Sequence, residues 1–85
     1  MKIEIEHHSP KEQVEKNIRK NLEYSNILYI VTSDEIAKKK TIQVALETIF
    51  RLKKEKPNKD LKVKIASIED LKRSEFKEWF EVKSR

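Results

Sequence analysis

A run of five apolar residues, Ile27 to Val31, constrains the fold of this chain more than any other stretch of its sequence. An unbroken apolar run of this length, rich in β-branched side chains, is typical of a strand that is covered on both faces of a sheet. We therefore predict a central strand over residues 26–32, with other elements packed against each of its two faces.

The segment before this strand has the pattern of a shorter strand followed by a helix. Residues 2–8 alternate between two sets of side chains, which is the period of a strand. The stretch Ser9-Pro10-Lys11-Glu12 then resembles a helix start, with serine as N-cap, proline at the first helical position and glutamate closing a capping box. Apolar residues follow at intervals of four. The sequence thus predicts a surface helix over residues 10–24.

The segment after the central strand predicts a second helix, a third strand and a third helix. Thr32 to Glu35 offer another N-cap, and apolar residues then recur at helical spacing, which predicts a helix over residues 34–54. Alternation of apolar residues with lysines around residues 61–65 predicts an edge strand. Helical spacing of aromatic residues in the tail predicts a helix over about residues 69–82.

These elements predict an α/β fold for residues 1–85, a single βαβαβα domain with a three-stranded, mainly parallel sheet. With strands in the order 1-2-3, right-handed crossovers place the first two helices on the same face. The aromatic tail then covers the other face of the central strand, or a partner meets that face. The sequence leaves open whether the domain stands alone or belongs to a longer protein.

The charge and composition favour some classes of function and exclude others. The formal net charge of +5 suits an anionic partner such as DNA. The 41% of charged residues, with no glycine and no cysteine, resembles the composition of hyperthermophile proteins. A chain without cysteine has no thiolate zinc site, and one without glycine has no P-loop. No apolar run approaches the roughly 20 residues of a membrane span, so we expect a cytoplasmic protein.

Two sets of residues are candidates for binding a partner. Five lysines predict salt-dependent contacts with phosphates, although they also fit the solvated surface of a thermophile protein. No aromatic residues are interleaved with them, so the sequence does not predict a stacking platform for single strands. Three aromatic residues in the tail predict either a core or a docking surface for a protein partner or a second copy. The lysines are Lys38, Lys39, Lys40, Lys62 and Lys64, and the aromatic residues are Phe76, Trp79 and Phe80.

A third set of residues is a candidate metal site. Glu4, Glu6 and His8 fall on one face of the first predicted strand, where two carboxylates suit a hard cation such as Mg²⁺ or Mn²⁺. The alternative is a solvated strand face on which the acids pair with Lys62 and Lys64. No serine has the neighbours of a nucleophile, so we predict no catalytic residues of that kind.

The order of these motifs resembles a known family. A strand of the form E-x-E, a helix with Gln13, an apolar strand ending in V-T-S and a long helix are similar to the C-terminal half of PD-(D/E)XK nuclease-like domains of replication and mobile-element proteins. The resemblance covers residues 2–55. It implies that Glu6 is a metal ligand, that His8 stands where the family has lysine, and that Gln13 is the residue supplied by the helix.

The sequence also departs from the family pattern. The first aspartate of the family and its strand have no counterpart in these 85 residues, and histidine replaces the lysine that stabilises developing charge. We therefore expect a non-enzymatic domain that docks onto DNA or a DNA-processing partner in replication, partition or transfer of a mobile element. The alternatives are a protein-interaction or homodimerisation module and a metal-dependent nuclease.

Overall fold

Four strands and three helices make up the part of the chain that the computed structural model describes, residues 2–6, 9–72 and 79–83. The boundaries of the first two helices and of the central strand lie within one residue of those predicted from the sequence. In chain order the elements are β1 (Lys2–Glu6), α1 (Lys11–Tyr24), β2 (Ile27–Thr32), α2 (Glu35–Glu55), β3 (Lys62–Ser67), α3 (Ile68–Lys72) and β4 (Phe80–Lys83).

The sheet has the order β1-β2-β3-β4 in the described residues. Both β1 and β3 run parallel to β2, whereas β4 runs antiparallel to β3. The α/β class and the central place of β2 are confirmed. The sheet is mixed and four-stranded, however, and not the three-stranded sheet that the sequence predicted.

The helix predicted over residues 69–82 is found only in part: α3 includes residues 69–72, β4 takes residues 80–82, and residues 73–78 lie outside the described residues. Helix α3 ends at Lys72, and Phe80 and Val82 pair with Ile65 and Val63 of β3. The helix prediction rested on the spacing of the aromatic residues in the tail, which fits a helix, and it was wrong for the residues that form β4. The four residues of β4 also alternate between apolar and charged, which fits a strand, and pairing with β3 places Val82 in the core.

Both long helices lie on the same face of the sheet. Helices α1 and α2 contact each other, and each contacts β2. This is the arrangement expected when two crossovers of the same hand join neighbouring parallel strands. The core lies between the helices and this face of the sheet, and its members are Val14, Ile18, Leu22, Leu28, Ile30, Val44, Ala45, Ile49, Leu52, Leu61, Val63, Ile65 and Val82.

The two helix starts differ from one another. Helix α2 begins as predicted, because the Asp34 carboxylate accepts a hydrogen bond of 2.8 Å from the backbone N–H of Ala37. Helix α1 has no side-chain cap, so the predicted capping box at Ser9 is wrong. Pro10 has an extended backbone and itself takes the N-cap position, which leaves Ser9 one residue too early to cap the helix. The carbonyl of Ser9 accepts a hydrogen bond from Lys40 Nζ at 2.6 Å.

Charged side chains join the two helices across their outer surface. Lys11 pairs with Glu47, Arg51 with Glu15, and Arg19 with Glu55, each at a closest distance of 3.0 Å. Arg19 also reaches Glu15 within α1 at 3.4 Å. Exposed pairs of this kind contribute only about 0.2 to 1 kcal/mol each at ordinary temperature, but networks count for more as temperature rises.

The core predicts a clear difference between two isoleucines of the helices. Ile18 is fully buried, whereas Ile36 is 73% exposed. We expect Ile18→Ala to lower the free energy of unfolding by about 2 to 5 kcal/mol, because it removes apolar contacts and leaves a cavity. The matched Ile36→Ala change is expected to alter it by no more than about 0.5 kcal/mol. Chemical denaturation of both variants measures this, and equal losses would contradict the described packing.

Candidate nucleic-acid interface

One face of the sheet is left uncovered by α1 and α2. Along β2 the residues Leu28, Ile30 and Thr32 are buried on the helix side, while their alternating neighbours are only half-buried. Strand β3 continues this alternation with buried Val63 and Ile65. We call the opposite side the open face. It carries Ile27, Tyr29, Val31, Lys62, Lys64, Trp79, Glu81 and Lys83.

An aromatic pair lies at the centre of the open face. The rings of Tyr29 and Trp79 meet edge to face, with centroids 5.1 Å apart and planes at 90°. Lys64 is in register with Tyr29 on the neighbouring strand, and its Nζ lies 5.7 Å from the centroid of the tyrosine ring. Both rings are half-buried, so each keeps part of its surface accessible to solvent.

The charges around this pair are predominantly positive. The Glu81 carboxylate lies 3.1 Å from Lys83 Nζ and 3.7 Å from Lys62 Nζ. The hydrogen bond from Lys83, together with the positive charges of Lys83, Lys62 and Lys64, holds the pKa of Glu81 below its ordinary value. Three lysines therefore face one ionised glutamate, and this part of the open face carries a surplus of positive charge.

The lysines predicted from the sequence fall into two separate groups. Lys62 and Lys64 lie on the open face, but Lys38, Lys39 and Lys40 lie in the first turns of α2, which packs on the other face. The structure does not bring the five together into one surface. Within the second group, Lys38 and Lys40 make contacts inside the domain, and Lys39 is exposed.

Lys38 belongs to a polar cluster that ties α2 to α3. Its Nζ lies 2.7 Å from the Asp70 carboxylate, and both side chains are largely buried. Asp70 also accepts a hydrogen bond from the backbone N–H of Ser67, whose hydroxyl accepts one from the N–H of Asp70 and donates one to Glu35. The hydrogen bond from Lys38, followed by that from Ser67, holds the pKa of Asp70 below its ordinary value. The role of Lys38 is thus structural.

The predicted metal ligands are only partly described. Glu4 and Glu6 lie in β1, in register with Ile30 and Thr32, and His8 lies outside the described residues. Elsewhere, no three histidine, aspartate or glutamate side chains of the described residues come together in a way that could hold a metal ion. The site at Glu4, Glu6 and His8 stays a prediction.

Of the three aromatic residues of the tail, the two that the structure describes lie on opposite sides of the sheet. Phe76 lies outside the described residues. Trp79 belongs to the open face, whereas Phe80 is in register with Ile65 on the helix side and is 44% exposed. Sequence reasoning missed Tyr29 as a site residue, because it lies inside the apolar run. Its polar hydroxyl among aliphatic neighbours was the only signal.

Comparison of the chain with family models, with curated proteins and with solved structures finds no match. Its chemistry is therefore inferred from its own residues. Among the described helices, none combines the length and the apolar character that crossing a membrane requires. In the residues that the structure describes, the molecule is an α/β domain with one sheet face covered by α1 and α2 and one open face that carries aromatic and basic side chains.

The polar cluster at Asp70 predicts a pH dependence of stability. The pKa of this carboxyl is lower in the folded than in the unfolded chain, so the ionised carboxylate stabilises the fold. This stabilisation is complete above the pKa of the unfolded chain, about 3.9, and is lost as pH falls through the pKa of the folded chain. We expect Asp70→Asn to lower the free energy of unfolding near neutral pH by about 1.5 to 3 kcal/mol, and to flatten its pH dependence below about pH 4.

Chemical denaturation at a series of pH values tests this expectation. The exposed Asp60 provides the matched control, because Asp60→Asn makes the same change in charge away from the cluster. It is expected to change the free energy of unfolding by no more than about 0.5 kcal/mol. The same effect in both variants would show that the Lys38–Asp70 pair does not stabilise the fold.

Proposed function

We propose that this chain is a non-enzymatic domain that docks onto nucleic acid through the open face. The observation that carries the proposal is the Tyr29–Trp79 pair with Lys64 beside it and Lys62 on the same strand. Lysine side chains bind phosphates, and aromatic rings offer surfaces on which bases stack. A nucleic acid strand is the common ligand class that supplies both an anionic backbone and a series of flat rings.

The geometry favours single-stranded over double-stranded nucleic acid. Bases in a duplex are stacked on one another, and their faces are not accessible to Tyr29 or Trp79. Lysines contact phosphates without reading the bases, so we expect little preference for sequence. The sequence alone did not predict a stacking platform, since Tyr29, Lys64 and Trp79 are far apart along the chain.

The resemblance to nuclease-like domains is part of the same proposal. Strands β1 and β2 are parallel neighbours joined by α1, which is compatible with the strand–helix–strand order on which the resemblance rests. On this proposal the domain holds DNA, or a partner that processes DNA, in replication, partition or transfer of a mobile element. It does so without cleavage, because His8 stands where the family has lysine.

Binding to a short fluorescein-labelled oligothymidine is expected to weaken steeply with added salt. The double variant Lys62→Gln/Lys64→Gln is expected to lower the slope of log affinity against log salt by about 1.4, at roughly 0.7 for each phosphate contact on a single strand. Fluorescence anisotropy measures the affinity. The fluorescence of Trp79, the single tryptophan of the chain, reports contact at the open face.

The double variant Lys16→Gln/Lys20→Gln is the control, because it removes the same charge from two exposed positions on α1. It is expected to leave the slope nearly unchanged. Equal effects of the two variants would show that binding follows net charge and does not involve the open face. Absence of any binding at low salt would reject the proposal for this chain.

The aromatic contribution is tested separately at Tyr29. Loss of base stacking in Tyr29→Leu is expected to weaken binding to the oligothymidine by about 1 to 3 kcal/mol, while Tyr29→Phe, which keeps the ring, is expected to retain most of the affinity. A duplex of mixed sequence is expected to bind more weakly than the single strand. If the duplex binds more tightly and Tyr29→Leu has no effect, the lysines act without stacking.

Addition of Mg²⁺ or Mn²⁺ distinguishes the nuclease alternative. Metal-dependent NMR shifts confined to Glu4, Glu6 and His8, accompanied by cleavage of the oligonucleotide, would replace the non-enzymatic proposal with a metal-dependent nuclease.

A further inference from the structure

A second unusual surface lies at the edge of the sheet, away from α1. Strand β4 is the last strand in the order of the described sheet, and α2 packs over both β3 and β4. An edge strand presents backbone N–H and C=O groups to solvent, which is a template for pairing with another strand. Phe80 and Val82 of β4 share the helix side of the sheet with Ile65 and Val63.

Helix α2 exposes large apolar side chains on the flank that faces away from α1, toward the β4 edge of the sheet. Glu47, Arg51 and Glu55 face α1, since they form the ion pairs with that helix. Leu46 and Phe50 each come one residue earlier in the helix than Glu47 and Arg51, which places them on the opposite flank. Leu46 is 48% exposed and Phe50 is 63% exposed. They border a groove of about 270 Å³ whose lining also includes Val82 and the lysines Lys53, Lys54 and Lys83. We call Leu46, Phe50, Phe80 and Val82 the edge patch.

We propose that the edge patch is a homodimer interface, in which β4 pairs antiparallel with β4 of a second copy and the two α2 helices meet through Leu46 and Phe50. The sequence of β4, Phe-Glu-Val-Lys, alternates so that a second copy supplies apolar side chains on the helix side of the joined sheet. The partner α2 then covers the flank that carries the exposed Leu46 and Phe50.

Charge complementarity along β4 favours a second copy as the occupant and favours one register. In an antiparallel pair, residues directly opposite each other lie on the same face of the sheet. When Val82 lies opposite Val82 of the second copy, Glu81 lies opposite its Lys83, and the same pair occurs again by symmetry. Opposite charges at facing positions stabilise an antiparallel pair. The alternative register centred on Glu81 places two glutamates opposite each other, which is unfavourable.

The dimer would have a consequence for the open face. Because the sheet continues across the interface, the open faces of the two copies lie on the same side of the molecule. If the proposed nucleic-acid function holds, one strand can then contact two aromatic pairs in succession. The dimer itself does not depend on that function, and its mass is measured without nucleic acid.

Light scattering coupled to size-exclusion chromatography, followed by sedimentation over a range of concentrations, tests the proposal on the full chain. We expect a mass of twice 10.2 kDa that falls toward the monomer on dilution. Phe50→Glu is expected to weaken dimerisation by tenfold or more, since it introduces a charge into the contact between the helices. The control Ile36→Glu introduces the same charge at another exposed apolar residue of α2, near the opposite end of the helix, and is expected to leave the mass unchanged.

The register is tested by exchanging the charges of β4. Glu81→Lys and Lys83→Glu are each expected to weaken the dimer, whereas the double exchange is expected to recover it, because it restores opposite charges across the interface. Circular dichroism of each variant confirms that the monomer remains folded. A chain that is monomeric at all concentrations, or a dimer indifferent to Phe50→Glu, would overturn the proposal. Weakening by both single changes without recovery in the double variant would overturn the register.

Discussion

The burial of one face of β2 against α1 and α2 is the interaction on which the rest of the domain depends. Leu28 and Ile30 are almost completely removed from solvent, and both belong to the core cluster that the helices complete. Because side chains alternate along a strand, this burial also determines that Tyr29 faces the other way. The parallel pairing of β2 with β3 then places Lys64 beside Tyr29. The candidate site is thus a consequence of how the core packs.

Within the part of the chain that the structure describes, an open sheet face and an open sheet edge set this domain apart from an ordinary α/β unit. Parallel sheets are usually covered by helices on both faces, yet α1 and α2 lie on the same one. Half-buried aliphatic residues on the open face, together with exposed apolar residues at the edge, leave apolar surface in contact with water. The two proposals assign these surfaces to different ligands, nucleic acid for the face and a second copy for the edge.

The many charged residues have distinct roles once their neighbours are known. Several acidic residues of the helices pair with lysine or arginine across α1 and α2, where they join the helices and do not contribute to a binding surface. Lys38 is held by Asp70 in the cluster that links α2 to α3. On the open face, Lys62 and Lys83 both pair with Glu81. A modest net charge is therefore distributed unevenly, and the distribution follows from the packing of the elements.

Local patterns along the chain were sufficient to predict the elements whose signals do not depend on distant residues. The apolar run of β2 and the helical spacing of α1 and α2 predicted those elements to within one residue, because each pattern reflects a side chain's position relative to the core. Local pattern could not predict β4, because its four alternating residues follow a segment with helical spacing. They form a strand because they pair with β3. Nor could local pattern determine the site, because Tyr29, Lys64 and Trp79 meet through the pairing of strands distant in sequence. Both follow from the way the strands pair, because strand register determines which residues become neighbours.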